Sequence, residues 1–311
     1  MTKLYSYAGF ALDIDERIIL ELTQESLIED DCESNLKLYK VRLGKTEATT
    51  MLLSTYRIIG KNEHSCLYYL PNEDSYLLAM NNGSTIYVTG DLMTLDINWE
   101  AYYSGMIERY ALKHGMILAA RLNGKSIYHG AAFVAGDKAY ILVAPSGYGK
   151  STMALALNKL ANYKILTDDC SVLSDDCNRL FMCQKSIYIN QDSAQALCNE
   201  KDRLMYGVGK DEKILYICDD GWYNCAYEFG GAFFIGRHLD EVQSSMISFK
   251  RTFPLLCNNI KMSYGMMDPH LNNDLLSASV IAKSKKMVEL HYPKEFSSIY
   301  KAVDLIRTIV E

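Results

Sequence analysis

The chain has 311 residues, 49% of them hydrophobic and 23% charged, with a formal net charge of −6. That composition belongs to a globular protein with a sizeable core, and scattered lysines and arginines exclude a nucleic acid as main partner, since such binding needs clustered cations. The opening residues lack the apolar stretch of a secretion signal, and no run of ~18 apolar residues suggests a membrane partner. Nine cysteines with no Cys-x-x-Cys pair fit the reduced thiols of a cytoplasmic protein.

In chain order, residues 1–95 read as a β-rich domain. Short runs at 3–14, 35–43, 50–59, 66–70, 75–80 and 84–89 are rich in Tyr, Leu, Ile and Val. The last three are separated by Pro71-Asn72-Glu73-Asp74 and by Asn81-Asn82-Gly83, whose Asn-Gly step supplies the positive φ of a tight hairpin. The period then changes. Trp99, Tyr103, Met106, Ile107, Tyr110, Ala111, His114, Ile117 and Leu118 recur at three- and four-residue steps, predicting a helix capped by Asp96 or Asn98 and ended by Gly124, with Gly115 inside it as a point where it can break.

Residues 96–311 read as an α/β domain built on a mixed sheet. Strands are predicted at 127–134, 139–144, 164–167, 180–189, 213–218, 227–235 and 287–292, and helices at 151–160, 193–199, 272–283 and 295–309. Cys170, Cys177 and Cys183 cluster in this half, but their spacing matches no zinc pattern, so they are expected to be buried thiols.

The chemistry concentrates at Ala144-Pro145-Ser146-Gly147-Tyr148-Gly149-Lys150-Ser151-Thr152, between an apolar strand and an Ala/Leu-rich helix. Glycines let backbone N–H groups curl around phosphate oxygens, and the helix N-terminus adds partial positive charge. Lys150 reaches the β- and γ-phosphates, and the Ser151 hydroxyl ligates Mg²⁺. Residues Ser146 to Thr152 are therefore expected to bind ATP. Ala144 replaces the first glycine of the pattern, so the first bend of the loop is expected to differ.

Asp168 and Asp169 follow Lys150 by 18 and 19 residues, the length of one helix plus one strand. A right-handed crossover brings the end of that second strand beside the loop. Side chains alternate at a strand end, so the two carboxylates have different jobs: one to hold Mg²⁺, the other to accept a proton from an attacking hydroxyl. His129-Gly130, in the strand before the P-loop strand, places an imidazole within reach of the same site. A lone histidine in such a strand is more often structural.

The order His129-Gly130, APSGYGKST at 144–152 and Asp168-Asp169 resembles the C-terminal catalytic domain of HPr kinase/phosphorylase, whose architecture is shared with ATP-dependent phosphoenolpyruvate carboxykinase. It is most similar to HPr-kinase-related proteins of ribosomal peptide clusters, lasso-peptide kinases among them. Those proteins pair a β-rich N-terminal part with this core, as do the opening at residues 5–11 and the pre-P-loop helix here. The resemblance implies that Lys150 binds phosphates, that Ser151 and Asp169 serve Mg²⁺, that Asp168 is the general base and that His129 is the active-site histidine. It also implies a further cation for the transferring group, for which Arg237 is the first candidate and Lys213 and Arg251 are weaker ones. Thr152 stands where HPr kinases usually have Glu, and their second glycine-rich signature has no counterpart here, which argues against HPr as acceptor and against reverse dephosphorylation.

The expected activity is Mg²⁺- and ATP-dependent phosphorylation of a serine-type hydroxyl on a peptide or small protein. A small-molecule kinase and a non-catalytic, ATP-responsive binding protein are the alternatives. Carboxykinase chemistry ranks lower, because no oxaloacetate-binding arginine set can be assigned.

Overall fold

The computed structural model describes residues 4–18, 28–29, 36–45, 57–102, 107, 113–208, 213–218, 224–236, 239–261 and 269–311. Arg237, most of the run at 50–59 and residues 103–106 and 108–112 of the predicted helix lie outside them.

The N-terminal half is a mixed sheet of nine short strands: β1 (Leu4–Tyr7), β2 (Phe10–Ile14), β3 (Ile28–Glu29), β4 (Lys37–Leu43), β5 (Arg57–Lys61), β6 (Ser65–Leu70), β7 (Ser75–Met80), β8 (Thr85–Val88) and β9 (Leu92–Asp96). Their spatial order is β3-β1-β2-β4-β9-β8-β7-β6-β5. From β6 to β8 it is the meander that the turn residues predict, and β5 and β9 extend it antiparallel on either side. Asp74 and Gly83 take φ of 44° and 86° at its hairpins. β4 runs parallel to both β2 and β9, which periodicity alone does not reveal.

The predicted long helix is corrected at its start. Trp99 lies in a separate 3-10 turn (Trp99–Ala101) capped by Asn98, is 57% exposed and is followed by extended backbone at Tyr102. The regular helix α1 (Met116–Leu122) comes later and is almost wholly buried, with Gly124 at φ 73° beyond its end.

The second half alternates strand and helix: β10 (Ser126–Tyr128), β11 (Ala131–Ala135), β12 (Lys138–Val143), α2 (Lys150–Ala161), β13 (Lys164–Thr167), β14 (Ser171–Leu173), β15 (Arg179–Phe181), β16 (Ser186–Ile189), α3 (Gln191–Leu197), β17 (Arg203–Val208), β18 (Lys213–Ile217), β19 (Ala226–Ile235), β20 (Gln243–Met246), α4 (Phe249–Cys257), α5 (Leu271–Ser284), β21 (Lys286–His291) and α6 (Phe296–Val310). The run at 127–134 is broken at His129-Gly130, and that at 180–189 is split between two sheets.

The central row of the main sheet is β13-β11-β12-β19-β21-β20, and β10, β14 and β15 extend from the first half of β19. β12, β19 and β21 are parallel. β13 shares their direction, because β11 is antiparallel to both β12 and β13. Four strands therefore end on one edge. Phe133, Leu142 and Phe233 bury one face with α2 and α6, and Ile141, Val143 and Phe234 bury the other with α4 and α5. Burial on both faces explains why these strands read as continuous apolar runs.

Gly231 permits the β19–β21 pairing. Its φ is 151°, and a Cβ there would lie 2.0 Å from the Lys286 carbonyl oxygen, a backbone atom that cannot step aside. Gly231→Ala is expected to cost about 2–4 kcal/mol from strain and clash combined. A urea-unfolding midpoint equal to that of the parent would show that the strand pair is not so constrained.

Candidate active site

The loop between β12 and α2 places positive φ on Gly147 (82°) and Gly149 (85°), while Ala144 is a buried strand-end residue outside the left-handed region. The bends therefore fall where glycine stands, and the missing first glycine costs the loop nothing. Backbone N–H groups at the start of the 12-residue α2 are left for a ligand. The thiols of Cys170, Cys177 and Cys183 are buried, burial pushing that of Cys170 up to about 12, and no cluster of metal-ligating side chains exists among the described residues.

Asp168 and Asp169 follow β13 and share a cavity of about 670 Å³ with residues 145–152, His129, Tyr7, Lys113, Tyr188, Lys213 and the start of α6. The P-loop and both aspartates thus meet, together with His129. Lys213, a weaker cation candidate, lines the same cavity. Arg251 does not: it pairs with Glu289 at 2.8 Å on an exposed surface.

The two carboxyl groups occupy opposite environments. Asp169, with its side chain 23% exposed, accepts at 2.9 Å from His129 Nδ1 through Oδ1, while Oδ2 is met by Lys113 Nζ at 2.7 Å and Lys261 Nζ at 2.9 Å. Lys150 Nζ stands 3.8 Å from Oδ1. Burial alone would raise the pKa of Asp169, but His129, Lys113, Lys261 and Lys150 together hold it far below the usual carboxylate range.

Asp168 is nearly dry, and burial pushes its carboxyl up against the opposing pull of Lys150, Ser151 and the Tyr188 N–H. Oδ2 accepts from that N–H at 3.0 Å. Ser151 is close enough to favour the ionised form but closes no hydrogen bond on Oδ1, which stays buried without a partner. An orphaned carboxylate oxygen beside a P-loop serine is what a Mg²⁺ ion would satisfy, since Mg²⁺ takes one or two protein oxygens and completes its shell with phosphate and water. The residues present fit that ion.

Lys150 reaches across the loop mouth, 3.3 Å from the Asp168 carbonyl oxygen and 3.4 Å from His129 Nε2. Burial lowers its pKa, with the two aspartates opposing and Lys261 and Lys113 adding to the fall. Thr152 Oγ1 lies 2.7 Å from Ser193 Oγ, tying α2 to α3.

Lys113, Lys261, Tyr7 and Tyr188 carry no motif in the sequence, because distant segments deliver them. Lys261 is placed by its backbone: its N–H donates to Ile127 O at 2.8 Å, and Arg121 Nη1 donates to its carbonyl at 3.2 Å. Arg121 in turn pairs with Asp274 at 2.6 Å, their side chains 1% and 4% exposed. His129 is fixed alongside, its N–H donating to Asn259 O at 2.7 Å.

No protein-family model matches the chain, and no curated protein matches it. Solved structures that match include the Hpr(Ser) kinase/phosphatase from Coxiella burnetii, at 12% identity and a TM-score of 0.30, over 59% of this chain and 87% of that one. A likeness so remote assigns no activity. No helix among the described residues is long and apolar enough to cross a membrane.

Removing one partner of a buried ion pair strands the other charge. Asp274→Ala is therefore expected to destabilise the protein by about 3–5 kcal/mol, whereas the double variant Arg121→Met/Asp274→Leu should recover most of that loss. Equal losses for the single and double variants in denaturant titration would contradict the stranded-charge account.

Proposed function

We propose that this protein is an ATP- and Mg²⁺-dependent kinase that transfers the γ-phosphoryl group to a serine-type hydroxyl on a peptide or small protein. The observation that carries the reading is the convergence of Lys150, Ser151, Asp168, Asp169 and His129 on one cavity at the end of the P-loop strand. The order of those residues along the chain, with its resemblance to HPr-type kinases, supports a hydroxyl acceptor, and the same resemblance supports a peptide or small protein as its carrier.

The geometry favours exchanging the aspartate roles that the resemblance implies. Asp168, with its orphaned Oδ1 beside Ser151, is the better ligand for Mg²⁺. Asp169 is more open to the cavity and keyed to His129, so it is the better partner for the acceptor hydroxyl. Bound Mg²⁺ supplies charge neutralisation on the phosphates. Lys150 pairs with phosphate oxygens and steadies charge as the γ-group separates. Asp169 takes the acceptor's proton as the hydroxyl oxygen forms its bond to phosphorus and the β–γ bridging electrons leave with ADP. Its four cationic or hydrogen-bonding neighbours keep it ionised and fixed in direction, which suits a base that orients first and accepts the proton late.

Labelled ATP with a degenerate library of serine-containing peptides gives the test. The parent protein should yield phosphopeptide, and Lys150→Ala should weaken Mg-ATP binding at least about tenfold. Asp169→Asn should keep nucleotide affinity within about threefold but lower transfer by about 10²-fold or more. Asp168→Asn should instead raise the Mg²⁺ concentration needed for half-maximal binding. Undiminished transfer by Asp169→Asn would remove that residue from the proton path. Tight ATP binding with no turnover on any acceptor would identify a nucleotide-responsive binding protein instead.

A further inference from the structure

The sheet fixes more than the phosphate end of the cavity. In the row β13-β11-β12-β19-β21, the P-loop follows the central β12, and the two aspartates follow β13, two strands to one side. Two strands to the other side, β21 ends and leads into α6. Neighbouring strands lie about 4.8 Å apart, so each flank is roughly 10 Å from the P-loop strand. The registers agree: Val143 pairs with Phe234 and Phe234 with Glu289, which sets the end of β21 level with the start of the P-loop. Ligands of such sheets lie in the crevice beyond the carboxyl ends of parallel strands.

A triphosphate whose terminal group faces Asp168 and Asp169 must run its nucleoside the other way, toward the β21–α6 junction. That junction offers an aromatic surface, with Lys294 and Glu295 lining the cavity beside it. Tyr292 is buried, and its hydroxyl would lie 3.2 Å from a Cβ placed on Gly149, so the junction abuts the P-loop directly. Phe296 and Ile299, one helical turn apart on α6, line the same cavity; Ile299 is buried in the core, whereas Phe296 leaves 37% of its surface open. The segment that presents Phe296 is braced. Glu295 N–H donates to Pro293 O at 2.9 Å, and the buried Ser298 hydroxyl is directed at the carbonyls of both Pro293 (2.7 Å) and Glu295 (2.8 Å). An exposed aromatic ring on a rigid turn, at the wall of a cavity that also holds a phosphate loop, is a stacking platform for a base.

We infer that Phe296, backed by Tyr292 and Ile299, is the seat of the nucleobase, and that it makes this site select a nucleoside triphosphate over bare polyphosphate. The inference rests on the nucleotide-binding reading above and adds the other end of the ligand. Base-on-aromatic stacking is worth about 1–3 kcal/mol when removed by alanine substitution, or roughly 5- to 150-fold in affinity.

Isothermal titration of the full chain with Mg-ATP and, separately, with Mg-tripolyphosphate tests it. The parent should bind ATP at least about tenfold more tightly than tripolyphosphate. Phe296→Ala should erase most of that margin by weakening ATP alone, and Phe296→Trp should restore it. Unchanged tripolyphosphate binding in Phe296→Ala also shows that the fold and the P-loop are intact. Three results overturn the inference: equal binding of the two ligands by the parent, a Phe296→Ala margin equal to that of the parent, or equal weakening of both ligands. Binding of neither ligand by the parent would instead overturn the nucleotide-binding reading, and the inference with it.

Discussion

The constraint on which the rest depends is that β13, β12, β19 and β21 all end on one edge of a sheet buried on both faces. The spacing of hydrogen-bonded strands is fixed by backbone geometry, so the phosphate loop, the aspartate pair and the β21–α6 junction are placed by the sheet, and loop preferences matter little. Helices α2 and α6 pack on each other over the same face, which carries the P-loop helix and the Phe296 turn as one layer. A site distributed across the ends of β12, β13 and β21 can then be precise although its parts lie far apart along the chain. What varies freely in such an architecture is the set of side chains that crossing segments bring to the edge.

Within that frame the electrostatics are deliberately unbalanced. Three lysines converge on Asp169, one of them the P-loop lysine, while Asp168 is dry, with Lys150, Ser151 and the Tyr188 N–H opposing its burial and Asp169 adding to it. The cations exceed the anions, and burial already works against the charge on Lys150. That excess of positive charge makes the electrostatics of the cavity favourable to an anion. The same crowding explains why neighbouring carboxylates differ so much: Asp169 gains four partners at the cavity surface, and Asp168 trades water for one backbone N–H. Desolvation dominates the second and charge pairing the first.

Much of this was legible in the sequence, because local chemistry specified it. The P-loop announces itself through the glycines that need positive φ, and Gly147 and Gly149 do adopt it. The aspartates were readable from the length of one helix and one strand. The edges of continuity were harder. An apolar run says nothing of where a chain leaves one sheet for another, so β15 and β16 merged, as did β10 and β11 across His129-Gly130. Gly130 marks the second break: a Cβ there would lie 2.9 Å from the Leu142 carbonyl oxygen, so the chain must pass very close to β12. α4 reads poorly because Lys250, Arg251 and Pro254 interrupt its apolar residues, β20 because Gln243, Ser244 and Ser245 are polar, and β17 because the aromatic Tyr206 faces outward and breaks its alternation. Lys113 and Lys261 carry no sequence signal for a deeper reason: a lysine, whether on the helical turn before α1 or in a loop, is solvated by default, and only tertiary structure gives it a carboxylate partner.

Tyr7 shows how far that dependence reaches. The β1–β2 turn puts Ala8 at φ 53° and Gly9 at φ 77°, and Ala8 N–H donates to Met182 O at 2.8 Å, so the hairpin tip is pinned to the second half of the chain. A Cβ on Gly9 would fall within 2.8 Å of the Phe181 ring, so the turn tolerates only glycine there. Tyr5, Tyr7 and Phe10 share one buried cluster with Leu118, Ile127, Cys170 and Cys183, so the N-terminal sheet and the α/β part of the chain exclude water together. Pinned this way, Tyr7 lines the cavity near Asp169, and burial, with the neighbouring thiols, Tyr188 and Asp169, holds its phenol well above the ordinary range. The Asp169 end of the cavity is thus walled in part by a strand from the far end of the sequence. Its shape depends on the docking of the N-terminal hairpin as much as on the phosphate loop itself.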